Sequence, residues 1–99
     1  MYKLIDIYQT ECGICKMMNP TIERIKEDYE GRIEVEKVNL DEPHEIDYKE
    51  EYSIMSTPTF VFLKEDGSVD CQASGYFPYE ELASMCDKLL EGGKEQYDA

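Results

Sequence analysis

Leu4-Ile5-Asp6-Ile7-Tyr8 passes through Gln9-Thr10 into Glu11-Cys12-Gly13-Ile14-Cys15-Lys16, and that passage decides how the 99-residue chain folds. The first stretch is an apolar run broken by one acid, and the second opens a segment with helical periodicity. Two thiols separated by two residues can close a small disulfide ring without moving the rest of the chain. A helix N-terminus aimed at the first sulfur favours its anionic form, because the unsatisfied N–H groups and the macrodipole place positive potential there. Strand, tight turn, nucleophilic sulfur and helix, in that order, point to thiol redox chemistry.

Working outward, the pattern continues as one domain over 1–99. Tyr2–Tyr8 is interrupted only by Lys3 and Asp6, which fits a strand covered on both faces. From Cys12 to about Tyr29, the residues Met18, Ile22, Ile25 and Tyr29 recur at helical spacing, and Pro20 among them predicts a kink. Glu30-Gly31 stops that helix, and Ile33–Val38 follows as a second strand. Asp41 is expected to cap a short second helix with Pro43 in its first turn and Ile46 and Tyr52 facing inward. Thr59–Leu63 is the clearest strand, Glu65-Asp66-Gly67 a hairpin signal, and Ser68–Ala73 the returning strand. Pro78 and Tyr79 lead into a last helix with Leu82, Met85, Cys86 and Leu89 on its apolar face. Gly92-Gly93 is expected to end it, leaving a frayed polar tail over about 92–99. The order is β-α-β-α-β-β-α, an α/β arrangement. Its β-α-β unit requires parallel strands and a right-handed crossover. The hairpin adds antiparallel pairing, so the expectation is a four-stranded mixed sheet flanked by helices on both faces.

Composition narrows the function. The chain is 41% hydrophobic, enough for a globular core, and folding at this length buries roughly 60–70% of the surface of the open chain. Ten basic residues against 23 acidic ones give a net charge of −13, which repels phosphate backbones and argues against nucleic acid as a partner. No stretch approaches the roughly 20 apolar residues of a membrane helix. Met1-Tyr2-Lys3-Leu4 enters the first strand at once, so no signal peptide is expected. A cytosolic protein with reduced thiols follows as the expectation, and there a cysteine pair is more often catalytic or metal-binding than structural.

The Cys12–Cys15 spacing has three readings. A zinc site needs four ligands, usually from a second close pair. Cys71 and Cys86 are instead 15 residues apart on a predicted strand and helix, where they read as small apolar core residues, and His44 is the single histidine. A structural disulfide fits an exported protein poorly matched to this chain. The redox dithiol is the reading the strand-to-helix context favours.

Several residues distant from the motif fit one family. Cys12-Gly13-x-Cys15-Lys16 with Pro20 five residues further resembles the thioredoxin active-site helix. Asp6 is similar to that family's buried carboxylate, and Lys37 in Lys37-Val38-Asn39-Leu40-Asp41 to its lysine partner on the adjoining strand. Thr57-Pro58-Thr59-Phe60 resembles the loop whose cis-proline faces the active site, and Gly67 and Gly75 resemble the hairpin and post-strand glycines. The resemblance runs from about Lys3 to Glu91. It implies a thioredoxin-like fold and, because the chain begins at the strand leading into the motif, one without the first strand and helix of full-length members.

The resemblance also implies roles. Cys12 is the expected attacking thiolate and Cys15, one turn further in, the resolving thiol. Asp6 is expected to lose hydration within its apolar strand, which raises its pKa and suits it to accept the proton of Cys15. Lys37 would offset an otherwise isolated buried charge. Pro58 would present the backbone of Thr57 to an extended substrate segment, with Glu11, Gly13, Ile14 and Gly75 completing the contact surface. Two residues depart from the family pattern: Glu11 replaces the usual Trp before the first cysteine, and Ile14 the usual Pro between the two. Glu11 is expected to oppose the helix dipole beside the nucleophile.

Protein-disulfide reduction is therefore the leading expectation. No bound cofactor is implied, and electrons would come from an NADPH-dependent flavoprotein of the thioredoxin reductase kind. A glutathione-dependent, glutaredoxin-like reductase fits less well. Its Thr-Val-Pro loop and Gly-Gly-Asp segment correspond to Ser56-Thr57-Pro58 and Ser74-Gly75-Tyr76 here. A non-catalytic module docking partners through the acidic surface is the third reading, and Glu11 is the feature that supports it.

Overall fold

A computed structural model describes residues 1–45 and 47–91, together with the helical backbone as far as Asp98. Its elements follow in the order β1 (Tyr2–Tyr8), α1 (Gly13–Asp28), β2 (Ile33–Asn39), a 3-10 turn (Pro43–Glu45), α2 (Asp47–Glu51), β3 (Thr59–Leu63), β4 (Val69–Ser74) and α3 (Tyr79–Asp98). The sheet order is β2-β1-β3-β4, with β1 parallel to β2 and β3 antiparallel to both β1 and β4. This is the mixed sheet the sequence implies, and β1 lies inside it. That position explains why its central four residues are all buried.

Strand alternation splits the core in two. Leu4, Phe60 and Phe62 face α1 and α3, where they pack with Met18, Ile22, Ile25, Leu82, Cys86 and Leu89. Ile5, Ile7, Val38 and Val61 face the opposite side and pack with Leu40, Ile54 and the half-buried Tyr48 and Tyr52. Burying a large apolar side chain is worth about 1.5–3 kcal/mol, so these two layers hold the sheet as a rigid platform for its C-terminal ends. Tyr29 ties the helices of the first layer together by donating to Asp87 Oδ1 at 2.7 Å and approaching Ala83 O at 3.1 Å.

Four sequence expectations need revision. The second helix is a 3-10 turn followed by five helical residues, and Asp41 does not cap it. Its carboxylate is engaged instead by the backbone N–H of Thr10 at 2.8 Å. Cys71 is exposed, because β4 is an edge strand paired on one side only, whereas Cys86 is buried as expected. The backbone of α3 runs past Gly92-Gly93 to Asp98, since glycine costs a helix only about 1 kcal/mol and Lys94, Glu95 and Gln96 favour it. The side chains of 92–99, the expected frayed tail and Ile46 lie outside the described residues. Pro20 sits inside α1, which remains a single element.

The β3–β4 hairpin turns at Gly67, whose φ of +87° lies in the region that a Cβ disfavours. Its N–H donates to Lys64 O at 2.9 Å, and Asp66 Oδ1 accepts from Ser68 N at 3.0 Å. Gly67→Ala is expected to lower stability by about 1–2 kcal/mol through backbone strain alone, since nothing lies within 4 Å of the added carbon. Urea denaturation measures this, and an unchanged midpoint would contradict it.

Candidate active site

The site forms where β1 ends and α1 begins. Cys12 is the N-cap of α1, with extended backbone (φ −115°, ψ 107°), and Gly13 and Ile14 start the first turn. Cys12 and Cys15 form a disulfide across a Cα–Cα distance of 5.2 Å. The N–H of Cys15 donates to Cys12 Sγ at 3.1 Å, so the first sulfur occupies the place of a capping acceptor. A thiolate there gains the same hydrogen bond and the positive end of the helix. Cys12 is partly exposed, whereas Cys15 is only 5% exposed and packed into the base of the helix. One sulfur of the pair thus faces solvent and the other faces the protein.

The Thr57-Pro58 loop lies against the same sulfur. The peptide bond between these residues is cis, and Thr57 O is 3.6 Å from Cys12 Sγ. Pro58 is buried and its carbonyl accepts from Gly75 N at 3.0 Å, where Gly75 has a φ of +106°. Thr59 Oγ1 closes the loop by donating to Ser56 O at 2.7 Å. Four of the sequence-assigned residues, Cys12, Thr57, Pro58 and Gly75, are therefore joined through direct contacts. Glu11 is exposed in the turn before Cys12, and Ile14 is 44% exposed on the first turn of α1. Met55 at 94% and Tyr76 at 53% are exposed beside Thr57 and Gly75 in sequence. Neither is legible in the sequence, since an isolated Met or Tyr carries no signal until its exposure is known.

Asp6 lies in the interior of β1, the strand that leads into the Cys12 turn. Alternation along β1 puts it on the same face as Leu4, towards α1, and only 3% of it is exposed. Burial pushes its carboxyl up to about 6, and the Lys37 charge pulls the other way more weakly. Lys37 is directly opposite Asp6 in the parallel register. Its ammonium donates to Asn19 Oδ1 at 3.0 Å and stands 5.2 Å from the centre of the Tyr8 ring, so it acts on Asp6 through space. A cleft of about 250 Å³ opens beside Cys15 and Lys37, lined also by Tyr8, Thr10, Lys16 and Asn19. Among the described residues no three His, Cys, Asp or Glu side chains gather as a metal site would need.

An exposed N-cap sulfur, a buried partner in the next turn and an adjoining cis-proline loop define a dithiol–disulfide oxidoreductase. The thioredoxin family model matches residues 2–88. The thioredoxin of Staphylococcus aureus strain Mu50 / ATCC 700699 is 39% identical over 88 residues, covering 89% of this chain and 82% of its own length. Those of strains MW2 and N315 match to the same extent. The chain belongs to the thioredoxin family, and it is a thioredoxin-like disulfide reductase.

Proposed function

We propose that this protein reduces disulfides in protein substrates, with Cys12 as the attacking sulfur and Cys15 as the resolving one. The observation that carries the assignment is the contrast in burial: Cys12 caps α1 at the surface while Cys15 is 5% exposed. The Cys12 thiolate attacks one substrate sulfur, the substrate S–S bond breaks, and its second sulfur leaves and takes a proton. Cys15 then loses its proton to Asp6 and attacks Cys12 Sγ. The mixed disulfide breaks, and the second substrate thiol is released. Two electrons have passed to the substrate, and the protein is left with the Cys12–Cys15 disulfide.

Several features support the remaining roles. Lys37 holds Asp6 partly towards its charged form. The backbone of Thr57 and Pro58 is presented next to Cys12 for an extended peptide, and Gly13, Ile14 and Gly75 border that surface. Glu11 stands at its edge as a fixed charge. Among the described residues no helix is long and apolar enough to cross a membrane. A cytoplasmic setting, with electrons drawn from an NADPH-dependent flavoprotein reductase, fits a dithiol that must be re-reduced after each turnover.

Insulin reduction tests the electron source. A thioredoxin reductase with NADPH is expected to sustain turnover, and glutathione alone at millimolar concentration to sustain at least about tenfold less. Equal rates would move the protein to the glutathione-dependent class.

A further inference from the structure

The two loops that meet at Cys12 are joined by a chain of side-chain hydrogen bonds. Asp41, just beyond β2, accepts from Thr10 N at 2.8 Å and from Gln9 Nε2 at 3.4 Å. Gln9 Oε1 in turn accepts from Thr57 Oγ1 at 3.1 Å. Asn39 braces the assembly, accepting from Asp41 N at 2.9 Å and donating to Thr10 Oγ1 at 3.2 Å. The end of β2, the turn before Cys12 and the cis-proline loop are thus tied together, and of these residues Thr57 reaches a sulfur through its carbonyl.

We propose that Gln9 and Asp41 are positioning residues that fix the Thr57-Pro58 loop against the Cys12 turn and thereby set the KM for a protein disulfide. The inference rests on the reading of Thr57 as a substrate-contact residue. Its chemistry is directional. A carboxylate only accepts, so Asp41 requires the NH2 end of the Gln9 amide to face it. That leaves the amide oxygen towards Thr57, whose hydroxyl must then donate. Asp41 keeps this role across the working pH range, because the bond from Thr10 N holds its carboxyl below the usual carboxylate range.

The dimension being held is the 3.6 Å between Thr57 O and Cys12 Sγ. A peptide pairing with the Thr57 backbone brings its own sulfur to Cys12 only when the two loops keep that spacing, and small misplacements of reacting groups are costly. The five bonds are exposed, so their contribution to global stability is small, and their effect falls on the encounter with substrate.

Gln9→Ala and Thr57→Val each delete the same link, the second while keeping side-chain shape. With dithiothreitol as electron donor, each is expected to raise the KM for insulin about 3–10-fold, the range of one hydrogen bond, and Gln9→Ala to keep kcat within about twofold. The double variant is expected to match Gln9→Ala, because that substitution already removes the bond that Thr57→Val deletes. In Gln9→Ala, iodoacetamide alkylation of reduced Cys12, which needs no peptide docking, is expected to keep its wild-type rate. Unchanged KM values in both single variants, or additive effects in the double, would overturn the proposal. Wild-type protein that leaves insulin intact would instead overturn the reductase reading on which it stands.

Discussion

Cys15→Ser converts this protein into a covalent trap. Cys12 can still attack a disulfide, but serine cannot attack the resulting mixed disulfide, so the substrate stays attached through Cys12. Cys12→Ser is expected to abolish both turnover and trapping, a loss of at least about 10³-fold, because removing one member of a nucleophilic pair costs nearly as much as removing both. The asymmetry between the two variants is the informative quantity. It follows from the exposed N-cap position of Cys12 and the 5% exposure of Cys15. Incubating each variant with insulin, followed by non-reducing electrophoresis and mass spectrometry, reads the result. Adducts on Cys15 in the Cys12→Ser variant, matching in yield those on Cys12 in Cys15→Ser, would invert or dissolve the assignment. Glu11 precedes Cys12 in sequence and is itself exposed, so the asymmetry in burial does not depend on it.

Much of this site was legible because its parts are bound to local patterns. The run from Tyr2 to Tyr8, the three- and four-residue spacing of Met18, Ile22, Ile25 and Tyr29, and the apolar run Thr59–Leu63 place β1, α1 and β3 to within a residue or two. The Cys12–Cys15 pair and Asp6 occur within or next to those patterns, so their positions follow once the strand and helix are set. The parts that escaped depend on long-range contacts. Asp41 has the composition of a helix cap, but Thr10, 31 residues earlier, claims its carboxylate. Cys71 alternates like a core residue, yet the edge position of β4 leaves it open to solvent. Gln9 looks like an ordinary polar turn residue, and its link to Thr57 spans 48 residues. Sequence periodicity reports which face a side chain takes; it is silent on which distant loop that face will meet.

Asp6→Asn is expected to stabilise the protein while slowing it. The carboxyl titrates near 6 in the folded chain against 3.8 when unfolded, chiefly because burial penalises its charged form. Between those values the folded protein holds a proton that the unfolded chain releases. Stability therefore falls as pH rises through that window, by about 3 kcal/mol for this group. Asparagine has the same shape and no proton to lose, so the variant is expected to match wild type near pH 4. By pH 8 it gains up to about 3 kcal/mol over wild type. Urea denaturation of both proteins at the two pH values isolates this group from the other acids, which titrate alike in each. Catalysis moves in the opposite direction. In the proposed mechanism the ionised carboxylate accepts the proton of Cys15, so release from the mixed disulfide is expected to rise through pH 6 in wild type. In the variant it loses that inflection, falling about 10²-fold at pH 7, as removal of a general base does. A variant no more stable than wild type at pH 8 would refute the buried-charge argument. A retained inflection near pH 6 would instead assign the proton to another group, and the cleft lined by Cys15, Lys16 and Lys37 would place solvent in that role.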